Sequence, residues 1–402
     1  MTRELLSASR INVGYDGKTV VANVDIHCCP GQMLCLIGPN GAGKSTILRT
    51  LSGLQPPVSG EVLLEGQSVR KMGKHQKARK MAVVLTEKFN SGMMTAYGIV
   101  SMGRTPYTGF FGRLSAEDRR IILSSMEAVG ASKLANRIFM SLSDGEKQKV
   151  LIARALAQEP ELILMDEPTS HLDIKHKIEV VHILNRLCRE RNMVVVLALH
   201  DIDLALKACQ NVMMIKNGAV QGCGSPEDIV GSDTIQELYD IRGARFDSLL
   251  GSVEIQGHSS RDDLFVVCGG GSGIPFFRAM SRMGCGVKCG ILSENDIDYC
   301  VARDMELPVV SERAYEVIGE HALAEASEAA QAARYIIDAG FAVGQGNEAN
   351  LALLRKAAAG KRVFSRRSAE EILRIYGPNS NVTQIEDIAA LLERMDSYGK
   401  NS

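Results

Sequence analysis

The stretch MLCLIGPNGAGKSTIL, Met33–Leu48, determines the fold of most of this 402-residue chain. Five apolar residues lead into a glycine-rich loop, and a helix-forming run follows. The loop, Gly38–Ser45, matches the pattern G-x-x-x-x-G-K-[ST] of phosphate-binding loops. A strand, loop and helix in this order predict a parallel α/β sheet that holds a phosphorylated ligand beside its first crossover.

Each residue type in this loop has a physical role. Gly41 and Gly43 let the backbone approach phosphate oxygens, and the amides at the helix N-terminus point toward negative charge. We expect Lys44 to reach the β- and γ-phosphates of ATP, and Ser45 to ligate Mg²⁺. The expected ATP-binding residues of this segment are Gly38, Pro39, Asn40, Gly41, Ala42, Gly43, Lys44, Ser45 and Thr46.

A second stretch, ELILMDEPTSHLD (Glu161–Asp173), contains an apolar strand that ends in two acids. Ligands of open α/β sheets bind at the carboxyl ends of the strands. Asp166 is therefore expected to hold Mg²⁺ through water, and Glu167 is expected to act as a general base that aligns water against the γ-phosphate. The alternative is an acidic pair that only caps the next helix, and the phosphate loop makes this alternative the weaker one.

The composition is that of a soluble globular protein, with 45% hydrophobic and 23% charged residues and a formal net charge of -1. This charge gives no reason to expect nucleic acid as a partner. Ten scattered cysteines lack zinc-ligand spacing, and the start MTRELLSASR has no apolar signal core. Reduced thiols in a cytoplasm are expected. The basic run Arg70–Lys80 is either a solvated face or a contact for a partner or anionic lipid.

A third stretch, SLSDGEKQKVLIARAL (Ser141–Leu156), resembles the signature of ATP-binding-cassette (ABC) ATPases, which is usually LSGGQ. It stands just before a basic helix and the acidic strand, as it does in that family. The resemblance implies that Ser143, Gly145 and Glu146 form the segment that contacts the γ-phosphate held by the other subunit of a dimer. Asp144 and Glu146 depart from the commonest letters, and their side chains are expected to point away from the phosphate.

The resemblance also implies roles for single residues. His200, after the strand in VVVLALHDID, is expected to hydrogen-bond the γ-phosphate, and Tyr15 to stack on adenine. Asp173 falls in the loop that faces the partner cassette. The family's glutamine ligand of Mg²⁺ is missing from KMAVVLTEKFNSG; Thr86 occupies the aligned position, and the neighbouring Glu87 is the alternative ligand.

The segment Gly103–Arg120, GRTPYTGFFGRLSAEDRR, resembles ATPases of importers for ferric siderophores, haem and cobalamin. The aromatic residues Tyr107, Phe110 and Phe111 suit either a partner surface or the local core. The resemblance implies a homodimeric ATPase that uses ATP and Mg²⁺ to power uptake of an iron complex or cobalamin. It would act at the cytoplasmic face of the membrane with permease subunits and, indirectly, a substrate-binding protein, without nucleic acid.

The rival class is a soluble ABC ATPase of DNA repair or translation. Such proteins usually carry a long coiled coil inside the cassette or two cassettes in one chain. The distance from Lys44 to Leu142 leaves no room for a coiled coil, and one phosphate loop is present. The transport class is therefore the favoured prediction.

The last third of the chain predicts a second α/β domain. We assign residues 1–255 to the cassette, 256–263 to a linker, and 264–402 to a doubly wound Rossmann-like domain with C-terminal helices. A helix is predicted over ALAEASEAAQAARYIID (Ala322–Asp338) and a strand over GFAVGQG (Gly340–Gly346). The domain resembles α/β domains fused behind some cobalamin- and siderophore-type ATPases.

The loop Gly269–Gly273 follows the first strand of this domain, in FVVCGGGSGIPFFRAM. It lacks a following lysine, and it misses the G-x-G-x-x-G spacing because isoleucine stands where glycine is needed. We therefore expect this loop to bind a small anionic or cofactor-like ligand, or nothing, and not to hydrolyse ATP. A regulatory ligand site, a dimerisation or scaffold role, and a vestigial enzyme remain open, and the nearest acidic cluster is Ser293–Tyr299.

Overall fold

The computed structural model describes residues 4–85, 92–109, 112–231, 233–247, 251–257 and 263–399. The chain forms two compact units, Met1–Tyr239 and Asp240–Ser402. This division lies earlier than the boundary at residue 255 that the sequence suggests, because a β-hairpin before that residue groups with the second unit.

The first unit is built on a ten-stranded sheet. Its strands are β1 Leu6–Tyr15, β2 Lys18–Cys28, β3 Met33–Ile37, β4 Val62–Leu64, β5 Gln67–Ser68, β6 Met81–Val84, β7 Leu162–Asp166, β8 Val194–Ala198, β9 Asn211–Lys216 and β10 Ala219–Gly224. Its α-helices are α1 Lys44–Leu51, α2 Lys74–Lys80, α3 Ala96–Ser101, α4 Ala116–Ala128, α5 Asp144–Leu156, α6 Ile174–Arg191, α7 Ile202–Ala208, α8 Pro226–Ile229 and α9 Thr234–Tyr239.

The strand order of this sheet, β5-β4-β1-β2-β10-β9-β3-β8-β7-β6, places the functional strands together. β3 pairs in parallel with β8, and β8 pairs in parallel with β7. Every residue of β3 and β8 is buried, which explains their uninterrupted apolar runs. The loops after β3, β8 and β7 therefore emerge at one edge of the sheet.

A buried arginine organises the helices beside this sheet. Arg104 is 3% exposed, and its Nε lies 2.8 Å from Asp118 Oδ1. Its Nη1 donates to the carbonyl oxygen of Ala157 over 2.8 Å and pairs with Glu159 over 2.7 Å. The centre of the half-buried Tyr107 ring lies 3.9 Å from the guanidinium carbon, so this ring packs on the buried arginine. Phe110 and Phe111 lie outside the described residues.

The second unit contains the hairpin and a six-stranded parallel sheet. Its strands are β11 Ala244–Asp247, β12 Ser252–Ile255, β13 Leu264–Val267, β14 Val287–Ser293, β15 Val309–Glu312, β16 Tyr335–Asp338, β17 Val363–Ser365 and β18 Val382–Gln384. Its helices are α10 Ile274–Arg282, α11 Ile297–Asp304, α12 Glu320–Ala332, α13 Ala349–Ala358, α14 Ala369–Tyr376 and α15 Ile388–Gly399.

The order β15-β14-β13-β16-β17-β18 corresponds to 3-2-1-4-5-6, the order of Rossmann folds. All five pairings in this sheet are parallel. The Rossmann-like prediction is therefore confirmed. The order in which successive strands are added reverses between β13 and β16, and such switch points form a crevice at the carboxyl ends of the strands.

Two local predictions in this unit are wrong. The helix predicted to reach Asp338 ends at Ala332, because Tyr335, Ile336 and Ile337 form the buried strand β16 beside β13. β-branched residues that are buried on both faces favour a central strand over a helix end. The strand predicted over residues 340–346 is a loop.

The predicted linker, residues 256–263, begins directly after β12. Glu254 lies in β12 and is 2% exposed, and it accepts a 3.0 Å hydrogen bond from Arg278 Nε. Because a buried carboxylate needs a partner, this pair ties the hairpin to α10 within the second unit. Within the described residues, no helix has both the length and the apolar character required to cross a bilayer.

Candidate nucleotide-binding site

The phosphate loop joins β3 to α1, and its glycines are required by its backbone. Gly38 has φ of 148°, and a Cβ there would collide with the carbonyl oxygen of Ile215. Gly43 has φ of 105° as the N-cap of α1, and a Cβ there would collide with Val21. These glycines let the loop lie close against β9 and β2 where it leads into the N-terminus of α1.

Lys44 is folded back into its own loop. Its Nζ donates to the carbonyl oxygens of Gly38, at 2.7 Å, and Pro39, at 3.0 Å. Burial lowers the pKa of Lys44, and the nearby carboxylates of Glu167 and Asp166 act in the opposite direction. The ammonium group is therefore held by acceptors that bound phosphate oxygens could replace.

The strand-end carboxylates lie at the same edge as this loop. Ser45 Oγ donates to Asp166 Oδ1 over 3.0 Å. Glu167 has φ of 48°, accepts a 3.0 Å hydrogen bond from Ser170 Oγ, and contacts Nε2 of His200. A cavity of about 360 Å³ joins these groups, and it is lined by Asn40, Gly41, Gly43, Lys44, Ser45, Thr46, Glu167 and His200.

The donor set in this cavity fits Mg²⁺. A hydroxyl and a carboxylate oxygen are hard ligands of the kind that this ion prefers, and Ser45 and Asp166 already lie within hydrogen-bond distance of each other. These two residues would hold the ion beside the phosphate loop. Thr86, the third predicted ligand, and its alternative Glu87 lie outside the described residues.

Tyr15 ends β1 beside the helix that follows the loop. Its hydroxyl lies 3.3 Å from Thr46 Oγ1, and the residue is 46% exposed. This placement near the nucleotide site is compatible with the stacking role predicted from the resemblance.

Tyr239 is a residue of this site that the sequence did not reveal. Its hydroxyl oxygen accepts the backbone N–H of Gly38 over 3.0 Å, and burial raises its pKa to about 12. The contact fixes the first turn of the phosphate loop from α9. No motif surrounds Tyr239, and it stands far along the chain from the loop, so only the folded structure brings the two together.

The signature segment forms the N-terminus of α5. Ser143 is its N-cap: its Oγ accepts the N–H of Glu146 over 3.3 Å, and its own N–H donates to the Glu146 carboxylate over 2.9 Å. Arg137 pairs with the same carboxylate over 2.8 Å. The hydrogen bond from the backbone of Ser143 is the main cause of the lowered pKa of Glu146. The side chain of Glu146 is therefore engaged within its own chain.

His176 links the signature to the loop that contains Asp173. A Cβ at Gly145 would collide with the His176 imidazole, so this glycine permits close packing of α5 against α6. Asp173 caps α6 by accepting the His176 N–H over 2.8 Å, and its Oδ1 lies 2.7 Å from His176 Nδ1. No motif in the sequence marks His176.

The predicted site residues fall into two groups in the described part of one chain. The cavity at the sheet edge brings together the phosphate loop, Glu167 and His200, and Asp166 adjoins it through Ser45. Ser143, Gly145, Glu146 and Asp173 are absent from the lining of that cavity. One chain thus presents a phosphate-binding part and a separate signature part.

Comparisons with known proteins identify the family. The family model described as ABC transporter matches residues 21–170, and the model of the MJ0874 family matches residues 287–392. An uncharacterized ABC transporter ATP-binding protein of Methanocaldococcus jannaschii is 42% identical over 279 residues, covering 69% of this chain and 96% of that protein. The chain belongs to the ABC transporter family of ATP-binding proteins.

Some relatives of this ABC ATPase are named after an imported compound. The cobalamin import ATP-binding protein BtuD of Halobacterium salinarum is 33% identical over 339 residues, 83% of this chain and 85% of that protein. The iron(3+)-hydroxamate import ATP-binding protein FhuC of Bacillus subtilis is 37% identical over 237 residues, 59% of this chain and 88% of that protein. The predicted resemblance, cassette fold and ATPase class are confirmed.

Proposed function

We propose that this chain is the ATP-hydrolysing subunit of an importer that takes up cobalamin or a related metal chelate. The choice of cargo rests on how much of this chain each relative matches. The match to the cobalamin import protein covers 83% of this chain, which is more than the first unit contains, whereas the match to the iron-hydroxamate import protein covers 59%. A corrinoid is therefore the favoured cargo, and a ferric siderophore is the second candidate.

The proposed chemistry follows from the groups at the sheet edge. The amides of the phosphate loop and Lys44 bind the β- and γ-phosphates, because they place N–H donors and positive charge around one cavity. Ser45 and Asp166 would hold Mg²⁺, which would supply further positive charge against the phosphate oxygens. Tyr15 is assigned the role of stacking on the adenine ring.

Glu167 is assigned as the general base. One oxygen of its carboxylate accepts a hydrogen bond from the Ser170 hydroxyl, and the other oxygen contacts His200. The orientation of the carboxylate is therefore fixed from two sides. In this position it accepts a proton from the attacking water, and His200 contacts the γ-phosphate. The pairing of Glu167 with His200 lets the histidine hold the base in place before nucleotide binds.

We further propose a homodimer with two ATPs at its interface. Each ATP lies between the phosphate loop of one chain and the segment Ser143–Glu146 of the other, with Asp173 facing the partner. The separation of these two groups in one chain supports this arrangement, because a complete site needs both. In this proposal the dimer binds permease subunits at the cytoplasmic face of the membrane. Through them it works together with a substrate-binding protein.

The proposal is tested by uptake in the native host after deletion of the gene for this chain. Accumulation of radiolabelled cobalamin should fall, and wild-type protein should restore it while the Glu167→Gln variant should not. Uptake of a ferric hydroxamate is measured in parallel. Loss of iron uptake with normal cobalamin uptake would show that the cargo is a ferric siderophore and not cobalamin. Normal uptake of both compounds would contradict the importer assignment.

A further inference from the structure

The glycine loop of the second unit already holds an anion supplied by its own chain. The N–H of Gly273 lies 3.1 and 3.0 Å from the two carboxylate oxygens of Asp298, and the N–H of Ile274 lies 3.1 Å from Oδ1. Asp298 is 0% exposed. The first amides of α10, where a Rossmann fold would bind pyrophosphate, are therefore occupied by a buried carboxylate.

A second carboxylate closes the same loop. The N–H of Gly270 lies 3.0 and 2.9 Å from the two oxygens of Asp296, which also accepts the N–H of Asp298 over 2.8 Å. An incoming phosphate would have to displace one carboxylate and lie against the other. The loop thus excludes nucleotide phosphates from the position that its glycines suggest.

A cavity of about 600 Å³ lies beside this loop, at the carboxyl ends of β13, β14 and β15. The loop after β16 supplies its remaining wall, so the cavity lies at the switch point of the sheet. Both its volume and its place are those of small-molecule sites in α/β proteins.

The chemistry of the cavity wall selects the ligand. Carboxylates come from Asp296, Glu312 and Glu316, and the lining includes no lysine, arginine or histidine among the described residues. Hydrogen bonds from the backbone N–H groups of Gly319 and Arg313 lower the pKa of Glu312, so its carboxylate stays charged at neutral pH. Among its described lining residues the cavity therefore has carboxylates and no cation, while Arg313 and His321 act on Glu312 from outside the lining.

Amide and apolar groups complete the wall. The side chains of Asn295 and Gln345 are amides, a group that has both acceptors and donors. The amide of Asn347 instead holds its own loop, through the N–H of Gly344 and the carbonyl oxygen of Ala342. At the rim, Tyr315 is 92% exposed and Val317 is 67% exposed. Exposed aromatic and aliphatic side chains around a polar cavity suit a ligand with an apolar body.

We propose that this cavity binds a small organic ligand that carries positive charge or several N–H donors on an apolar body, and that it does not bind a nucleotide. Two sources share this chemistry. One is an aliphatic polyamine. The other is a cationic corrinoid edged with amides, which rests on the proposed function and would make the second unit a sensor of the imported cargo.

Isothermal titration calorimetry on the full-length chain tests this proposal with spermidine, diaquacobinamide and NAD⁺. We expect heat of binding with spermidine or diaquacobinamide and none with NAD⁺. Glu316→Lys reverses one charge of the wall and should weaken that binding by about tenfold or more. Tyr315→Ala should weaken it through loss of the apolar rim. Glu328→Lys makes the same charge change at an exposed position of α12 outside the cavity and should have no effect.

The outcomes separate the sources. Binding of spermidine alone assigns the site to amines and leaves the importer proposal to its own uptake test, whereas binding of diaquacobinamide assigns it to corrinoids. Binding of neither probe overturns the proposal. Equal loss with Glu316→Lys and Glu328→Lys, or binding of NAD⁺ that Tyr315→Ala weakens, overturns it as well.

Discussion

Ser45 Oγ and Asp166 Oδ1 lie 3.0 Å apart, although 121 positions separate these residues in the chain. The contact brings the end of the phosphate loop to the tip of β7. Because it pairs a hydroxyl with a carboxylate, it marks where a magnesium ion would be held beside the phosphates.

Asp166→Asn should therefore raise the Mg²⁺ concentration needed for half-maximal ATP hydrolysis. Loss of a carboxylate that holds the ion through water should cost about 10–100-fold in metal affinity. ATPase rates across a Mg²⁺ titration measure this, with Asp16→Asn in the turn between β1 and β2 as control. An unchanged Mg²⁺ dependence would remove Asp166 from the metal site.

Glu167→Gln should leave ATP binding intact and reduce hydrolysis by about 10²–10⁴-fold, the usual contribution of a positioned general base. The amide keeps the size of the side chain but cannot accept the proton. Binding of a fluorescent ATP analogue and steady-state turnover are measured together, with Glu127→Gln on the exposed face of α4 as control. Near-normal turnover would mean that another group activates the attacking water, and Glu87 is the first candidate.

Arg104→Ala should destabilise the first unit by about 3–5 kcal/mol, because it leaves the buried carboxylate of Asp118 without its charged partner. Urea unfolding followed by circular dichroism measures the change. Arg120→Ala removes an exposed i,i+3 pair with Glu117 and should have no measurable effect. If both variants lose a similar amount of unfolding free energy, the buried ion pairs of Arg104 do not stabilise the unit more than an exposed pair does.

Asp298→Ala should destabilise the second unit by about 1–3 kcal/mol, since the amides of Gly273 and Ile274 lose their acceptor. Asp298→Asn keeps one acceptor oxygen and should cost less. Hydrogen exchange of α10 and β13 reports on this unit separately from the cassette. If both variants exchange like the wild type, the carboxylate does not hold the glycine loop.

The sequence predicts the nucleotide site well because its parts are local and geometrically demanding. Gly38 and Gly43 occupy backbone conformations that other residues rarely adopt, and Lys44 and Ser45 follow them directly. Asp166 ends the buried strand β7 and Glu167 follows it, and this position alone directs both acids to the ligand edge. Each feature can be recognised without knowledge of distant contacts.

Long-range contacts explain what the sequence does not predict. Tyr239 reaches Gly38 from the far end of the first unit, and His176 meets Gly145 across two helices. The sequence shows the glycine loop of the second unit but not the carboxylate bound to it, because Asp298 lies 25 positions beyond Gly273, in the first turn of α11. From sequence alone, the run Tyr335–Asp338 continues an alanine-rich helix. In the structure it is a strand, because it pairs with β13.

The composite ATP site is tested most directly by the ATPase activity of mixed dimers. Lys44→Ala removes the phosphate-binding lysine, and Ser143→Arg blocks the signature, so each variant alone should be inactive. A mixed dimer pairs the intact loop of one chain with the intact signature of the other, and mixing should restore up to about half of the wild-type activity per dimer if its sites act independently. Activity that stays absent after mixing, in dimers shown to contain both chains, or full ATPase activity in isolated monomers, would contradict the account.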